Sequence, residues 1–160
     1  MVLGYVLFVV LPFWAVKKYL AITVLTGESP VLYFYCYRNK ERGFWYSLLY
    51  ALLEGVSSEM QIERRDLDGC LYPMPGNPFG NPALILYDDV PGGAGHVRRL
   101  ARGDTFKKVL KASLSRLQRC ECGGARGSAS CYGCLRHYRN QFCHDDLNRG
   151  MAMRFLSSLF

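Results

Sequence analysis

The sequence lacks several patterns that would assign a function directly. It contains no phosphate-loop signature Gly-x-x-x-x-Gly-Lys-Ser/Thr, which excludes a self-contained P-loop nucleotide motor. At 160 residues it is also too short for a two-lobed motor of any kind. No internal repeat and no low-complexity segment are visible, and half of the residues are hydrophobic. We therefore expect a folded domain with a real core.

Apolar runs fall short of what a membrane span needs. Residues 1–16 are apolar and uncharged, but a span takes ~20 residues and Pro12 would break the helix. No positive residue precedes the run and no small-residue cleavage site follows it, which disfavours a signal peptide. Buried strands and the ragged start of a fragment are the other interpretations. We expect residues 1–30 to form an apolar N-terminal arm, and a membrane partner is disfavoured.

Acidic residues are scarce in the second half of the chain. The formal net charge is +7, and from Arg98 to Arg154 there are 13 Lys and Arg residues against four acids. Residues 1–60 are close to neutral, with five basic and four acidic residues. A basic half favours an anionic partner, of which nucleic acid is the commonest. The alternative is a solvated basic surface without a partner.

Cysteine, in contrast, is abundant: there are seven, and five lie in the last 41 residues. This clustering indicates a metal site rather than a disulfide framework, and a reducing compartment such as the cytoplasm. Two close pairs flank a Gly/Ser-rich loop, a spacing that suits one tetrahedral structural Zn²⁺ ion. Free buried cysteines or a redox pair are the alternatives. The predicted ligands are Cys120, Cys122, Cys131 and Cys134.

Three nearby residues, Cys143, His137 and His144, are rival ligands. They follow a complete set of four cysteines, so we leave them out of the predicted zinc site. His144 lies just before two acids at a predicted helix start, where it can order the helix cap instead. Zinc with four thiolates carries a formal charge of −2, so metal binding lowers the net charge from +7 to about +5.

A glycine-rich turn, DDVPGGAGH at residues 88–96, follows a predicted strand and leads towards a basic helix. In this geometry backbone N–H groups can hold an anion, and Arg98 and Arg99 follow at once. The other interpretation, slightly favoured, is a tight connection whose glycines serve φ > 0 and close packing. Asp88 and Asp89 would bind Mg²⁺ for phosphodiester chemistry only if further acids converge on them.

Hydrophobic periodicity predicts an α+β fold. The predicted strands are 31–37, 59–65 and 83–87, a buried helix covers 44–56 and stops near Gly55, and 68–82 is a loop. Asp104 is the predicted N-cap of an amphipathic helix, and Asp145 or Asp146 caps the last helix. We expect a small mixed sheet with packed helices and a C-terminal four-cysteine zinc knuckle at residues 120–134.

Together these motifs resemble a known domain. The segments 88–96 and SCYGCLRHYRNQFCHDDLNRG (130–150), joined by an amphipathic helix and a Cys-x-Cys pair, are similar to the C-terminal zinc-binding domain of MrfA-type DEAD/DEAH-box helicases. Residues 44–73 also resemble the helix and strand upstream of the glycine-rich turn in those proteins. The same module occurs in DrmB of the DISARM anti-phage system. The resemblance covers about residues 31–160, which we take as an MrfA-like zinc-binding domain.

The resemblance implies roles residue by residue. The family's zinc cysteines correspond to the four named above, and its Pro-Gly-Gly-Ala-Gly corresponds to residues 91–95. In the helicases the module is accessory to an ATP-driven motor that moves on DNA, and the motor lobes have no counterpart here. The family's Thr-Asp pair is not matched either, because Thr23 is followed by Val24. The family positions without an assigned role are Asp88, Pro91, Tyr138, Asn140, Gln141 and His144.

Three functions follow as hypotheses. The first is a non-enzymatic zinc-binding accessory module of a DNA helicase system, in DNA repair or phage defence, with DNA and a helicase subunit or domain as partners. The second is a protein-interaction subunit without DNA binding, and the third is a metal-dependent phosphodiesterase using Asp88 and Asp89. Tyr132 and Tyr138 can stack on bases, or pack around the knuckle instead. The residues predicted to bind nucleic acid or another anion are Gly92, Gly93, Gly95, Arg98, Arg99, Lys107, Lys108, Lys111, Arg136 and Arg139.

Overall fold

A computed structural model describes residues 19–24, 30–35, 41–73, 82–91, 94–100, 102 and 104–160. The apolar run 1–16, most of the predicted loop 68–82, and Gly92 and Gly93 of the glycine-rich turn lie outside the described residues. No helix in the described part of the chain combines the length and the apolar character that crossing a membrane requires.

Four strands form one sheet in the order β1-β2-β4-β3. They are β1 (Tyr19–Val24), β2 (Pro30–Tyr35), β3 (Leu67–Tyr72) and β4 (Ala83–Asp88). β1 lies within the expected N-terminal arm and pairs with β2 along its whole length. The α+β class is confirmed, and the described pairings are all antiparallel where we expected a mixed sheet. β2 and β3 run in the same direction, because β4 lies between them and is antiparallel to both.

Helix α1 (Arg42–Met60) is the centre of the core. The predicted helix 44–56 is confirmed, but it continues past Gly55 to a left-handed C-cap at Gln61. Gly55 does not end the helix, because the later helix Thr105–Arg119 packs against α1 at this point: a Cβ on Gly55 would lie 2.0 Å from Ser113 Oγ. Leucines at 48, 49, 52 and 53 are fully buried, so most of the circumference of α1 faces protein.

The strand predicted at 59–65 is wrong. Residues 59 and 60 end α1, and a 3₁₀ turn at Arg64–Asp66 leads into β3, which begins at Leu67 and takes up the first residues of the predicted loop 68–82. Ser57 explains the difference: its backbone O accepts from the N–H of Ile62, and its Oγ donates to Ile62 O at 2.7 Å. These bonds fold 57–62 into a helix terminus, so the alternating pattern there does not become a strand.

The C-terminal half contributes α2 (His96–Leu100), α3 (Thr105–Arg119), a 3₁₀ segment (Tyr138–Cys143) and α4 (Arg149–Ser157). Asp104 directly precedes α3 as expected, but its side chain makes no capping bond. The cap predicted for α4 at Asp145 or Asp146 is wrong. Asn148 occupies that position, and its Oδ1 accepts from Met151 N at 3.1 Å. The two acids lie on a preceding turn, in which Asp146 N donates to Cys143 O.

Candidate metal centre and the surrounding basic surface

The chain between α3 and the 3₁₀ segment is shaped by local backbone bonds. α3 ends at Arg119, and the chain then turns sharply through glycines with positive φ. At Gly123 (φ 71°) a Cβ would lie 2.5 Å from the backbone N of Ala129, so only glycine fits there. Further along, Cys131 O accepts from the N–H groups of Cys134, Leu135 and Arg136. These turns bring both cysteine pairs to the same place.

The four predicted zinc ligands lie together. Their sulfur atoms all fall within 4.8 Å of one another, and no other group of three or more possible ligands occurs among the described residues. Neighbouring sulfurs are 3.4 to 3.8 Å apart. A tetrahedral zinc ion with Zn–S bonds of ~2.3 Å requires S···S edges of about 3.8 Å. Four thiolates at these distances fit one structural zinc ion, and the arrangement is too open for disulfides.

Two effects set the pKa values of the thiols in the cysteine cluster: burial, and hydrogen bonds among the cysteines. Burial raises the pKa of the Cys134 and Cys122 thiols. Burial acts in the same direction at Cys120, but hydrogen bonds from the Cys122 backbone and from the neighbouring thiols outweigh it and lower the Cys120 pKa to about 7. Zinc binds thiolates, so its binding must displace the remaining protons and is favoured as pH rises.

The rival ligands have other partners. Cys143 is buried and its Sγ donates to Asn140 O, while Nδ1 of His137 accepts from Arg139 N. His144 Nε2 lies 2.8 Å from Asn140 Oδ1, so the proposed role of His144 in ordering the α4 cap is not what the structure shows. These side chains instead shape the 3₁₀ segment that follows the knuckle.

Asn140 is the family-motif residue with the clearest structural role. It is fully buried, its Nδ2 donates to Leu135 O, and its Oδ1 accepts from His137 N. Tyr138 and Gln141 on the same segment are exposed. Asn140 therefore ties the 3₁₀ segment to the residue that follows the last cysteine of the knuckle.

In the glycine-rich turn, the side chain of Asp88 accepts hydrogen bonds from two backbone N–H groups. Its Oδ2 accepts from Gly95 N at 2.6 Å and its Oδ1 from Val97 N at 3.0 Å. These two donors are thus bonded to the protein's own carboxylate at the start of α2. Gly95 (φ 71°) serves the tight connection, with no neighbour near its missing Cβ. Pro91 is exposed at the start of the turn.

Asp89 is also engaged. Its carboxylate accepts a hydrogen bond from Arg139, which lies 4.0 Å from Asp68 as well. The Asp89 hydrogen bond raises the pKa of the Arg139 guanidinium further. Asp66 contacts Asp89 through the backbone, where Asp66 O accepts from Asp89 N at 2.8 Å. The structure therefore joins the 3₁₀ segment to the ends of β3 and β4, and does not assemble the acids into a metal site within the described residues.

The remaining basic candidates divide into two groups. Arg98 and Arg99 on α2 and Lys107 and Lys108 on α3 are exposed, and none forms an ion pair with a described carboxylate. Lys111 is exposed too, with its Nζ 5.6 Å from the centre of the Phe160 ring. Arg136 is half-buried and its Nε donates to Ser130 Oγ. Because α2 contacts α3, the exposed cations of these two helices lie on neighbouring elements.

Sequence reasoning missed Arg149 and Ser47. Arg149 is 4% exposed and donates to carbonyls of the knuckle. Ser47 Oγ accepts from Asn148 N and so fixes the start of α4 on α1. A signal for Arg149 was available, because a cation at the first position of an apolar helix opposes the helix dipole and needs another partner. No local pattern pointed to Ser47, whose partner is 101 residues away.

Comparison with known proteins finds a matching family model and a similar solved structure. The model of the family described as MrfA Zn-binding domain matches residues 48–135. No curated protein sequence matches the chain. Among solved structures, the crystal structure of DUF1998 helicase MrfA bound to DNA is similar, with a TM-score of 0.56 and 18% identity. The similarity covers 82% of this chain and 17% of that helicase chain, so it concerns the fold of one part of a much longer protein.

Proposed function

This chain belongs to the MrfA Zn-binding domain family, and from that premise we propose that it is an accessory module that brings DNA binding to a helicase system. In this proposal Cys120, Cys122, Cys131 and Cys134 hold one structural zinc ion, which fixes the knuckle between α3 and α4. The module itself is not an enzyme. Its partners are DNA and a DEAD/DEAH-box helicase subunit or domain, in DNA repair or in a DISARM-type phage defence system of the cytoplasm.

The observation that carries the proposal is the exposed basic surface of α2 and α3, formed by Arg98, Arg99, Lys107, Lys108 and Lys111. Side chains of this kind attract phosphates, and each contact releases counterions from the nucleic acid. Apart from the contact of Lys111 with an aromatic ring, these cations have no partner among the described residues that they would have to give up. Arg139, in contrast, is already paired with Asp89, so we expect it to contribute less.

The test is binding of the zinc-loaded chain to single- and double-stranded DNA across a salt series. We expect submicromolar binding at low salt that falls steeply as salt rises. The double variant Lys107→Gln/Lys108→Gln should weaken binding and reduce the slope of log K against log salt by about one for each phosphate that is no longer neutralised. Zinc content is measured alongside, and Cys131→Ser should lower it from one ion per chain.

The matched control is Arg42→Gln/Arg65→Gln, which removes the same charge from exposed positions elsewhere. It should leave the salt slope close to that of the unmodified chain. Equal losses of affinity in the two double variants would mean that net charge alone drives binding, and would overturn the assignment of this surface. Feeble binding of the unmodified chain at low salt would overturn the DNA-binding role itself.

A second candidate, a protein-interaction subunit, is favoured by exposed aromatics around the knuckle. Tyr132, Tyr138 and Phe142 are 62%, 78% and 67% exposed. Large exposed rings are typical of protein interfaces as well as of base-stacking surfaces. If this function is the correct one, Tyr138→Ala should weaken binding to a helicase subunit and leave DNA binding unchanged. The phosphodiesterase hypothesis is not favoured, because Asp88 and Asp89 are committed to Gly95, Val97 and Arg139.

A further inference from the structure

Arg149 is a buried cation without an acidic partner. Its side chain is 4% exposed, and it forms no ion pair with any described carboxylate. An unpaired charge in such a place is costly unless hydrogen bonds and a nearby opposite charge compensate it. The surroundings of Arg149 must therefore supply both.

Hydrogen bonds account for every N–H of the guanidinium. Nε and Nη2 both donate to Cys122 O, at 3.1 and 2.9 Å, and Nη2 also donates to Gly124 O at 2.9 Å. Nη1 donates to Leu117 O at 2.8 Å and lies 3.8 Å from the sulfur of Met153. Because a guanidinium has five N–H groups, none remains for an external anion.

The acceptors belong to the element that carries the first cysteine pair. Leu117 O is one of the last carbonyls of α3, where the helix dipole favours a positive charge. Cys122 is itself a predicted zinc ligand, and Gly124 is in the turn that follows it. The adjoining backbone repeats the connection: Arg149 N donates to Ala129 O, and Gly150 N donates to Gly127 O at 2.8 Å. The start of α4 is thus bound to both sides of the knuckle loop.

We propose that Arg149 is the positioning residue of the zinc knuckle: it fixes the backbone at Cys122 for metal binding, and its cation offsets the charge of the zinc-bound thiolates. Four thiolates and one zinc ion carry a net charge of −2. This charge provides the negative partner that the buried Arg149 guanidinium otherwise lacks. This inference rests on the four-cysteine zinc site but not on DNA binding. Outer-shell groups of this kind change metal affinity by 10–100-fold when they are removed.

The experiment compares Arg149→Met and Arg149→Lys in the full chain. Zinc affinity is measured by competition with a chromophoric chelator, and Co²⁺ replaces zinc to report the ligand geometry through its visible absorption. We expect Arg149→Met to weaken zinc binding at least 10-fold and to shift or weaken the Co²⁺ bands. Arg149→Lys keeps the charge but replaces a five-donor fork with three donors, so its loss of affinity should be intermediate.

The matched control is Arg119→Met, an exposed arginine at the end of α3. It changes the charge by the same amount near the knuckle and should leave zinc affinity within about twofold. A merely structural role for Arg149 would destabilise the zinc-free and zinc-loaded forms equally and leave zinc affinity unchanged. That outcome, or an equal effect of the two methionine variants, would overturn the proposal. None of these readouts involves DNA, so this inference can fail independently of the proposed function.

If Arg149→Met does not fold, the unmodified chain provides a second test. Zinc is removed with a chelator and hydrogen exchange is followed by mass spectrometry. The proposal predicts that α4 loses protection together with the knuckle, while the central part of α1 keeps it. Unchanged protection of residues 149–157 after zinc removal would overturn the coupling between Arg149 and the metal site.

Discussion

At the scale of single residues, buried polar side chains around the knuckle supply hydrogen bonds that a helix or sheet would otherwise provide. Residues 120–148 contain turns and a 3₁₀ segment, and no strand or α-helix. Backbone groups in such a region must find partners outside a helix or sheet. Asn140 serves two of them, Leu135 O and His137 N, and it also contacts His144 Nε2. Its amide carries the donor and the acceptor on two separate atoms, an arrangement that a shorter serine or an ionised acid would not reproduce.

We predict that Asn140→Ala lowers the free energy of unfolding by about 1–3 kcal/mol, because it leaves buried backbone groups without partners. Asn140→Asp retains the acceptor but sets a carboxylate against Leu135 O in a fully buried site, so it should be at least as destabilising as Asn140→Ala. Urea unfolding of the zinc-loaded chain measures both. The exposed neighbour Gln141 is the control, and Gln141→Ala should change stability by less than about 0.5 kcal/mol. Similar losses of stability at both positions would contradict the role assigned to Asn140.

At the scale of elements, the close approach of α1 and α3 fixes the platform that carries the metal site. Ser113 of α3 is buried and its Oγ donates to Val109 O at 2.8 Å, directly opposite Gly55 of α1. Glu54, the preceding residue, forms ion pairs with Arg64 before β3 and with Arg116 of α3. One turn of α1 therefore positions both the sheet and the helix that ends at the first cysteine.

Gly55→Ala should destabilise the protein by about 1–3 kcal/mol, since its Cβ would meet Ser113 Oγ at 2.0 Å and Val109 O at 2.9 Å. This prediction runs against helix propensity, which favours alanine over glycine by about 1 kcal/mol. Thermal or urea unfolding distinguishes the two effects. Ser58→Ala, at an exposed position of the same helix, tests propensity alone and should be neutral or stabilising. A stabilised Gly55→Ala would show that α1 and α3 can separate without cost.

The same elements show what the sequence can predict. α1, α3 and the cysteine set follow from local patterns: apolar periodicity for the helices and ligand spacing for the metal. The start of β3 and the cap of α4 do not. The chain at 57–62 ends a helix through Ser57 bonds that compete with an equally plausible alternation, and Asn148 is fixed by Ser47 from the other end of the domain. No sequence pattern indicated that the Asp88 carboxylate accepts from Gly95 N and Val97 N, because those bonds depend on how the chain folds back across the turn.

At the scale of the whole molecule, the core contains groups that must stay protonated. Cys143 is 1% exposed, and burial raises the pKa of its thiol to about 11, although a hydrogen bond from Tyr50 partly opposes this. Burial also raises the pKa of Tyr50. Both groups have ordinary values near 9 and 10, so the folded state holds their protons more tightly than the unfolded state does. Their contribution to stability is complete below pH 9 and is lost as pH rises through the folded-state values.

We therefore predict that the free energy of unfolding decreases between pH 9 and pH 11, and that Cys143 accounts for part of the decrease. A difference of two pKa units corresponds to about 2–3 kcal/mol at most. Urea unfolding of the unmodified chain and of Cys143→Ala, at matched pH values, isolates this part, because the surface lysines and tyrosines titrate alike in both. The variant should be less stable at pH 8, where it lacks the buried side chain, and the gap should narrow as pH rises towards 11. Parallel stability curves would show that Cys143 does not titrate in this range, and the loss of stability at high pH would then belong to Tyr50 and the surface.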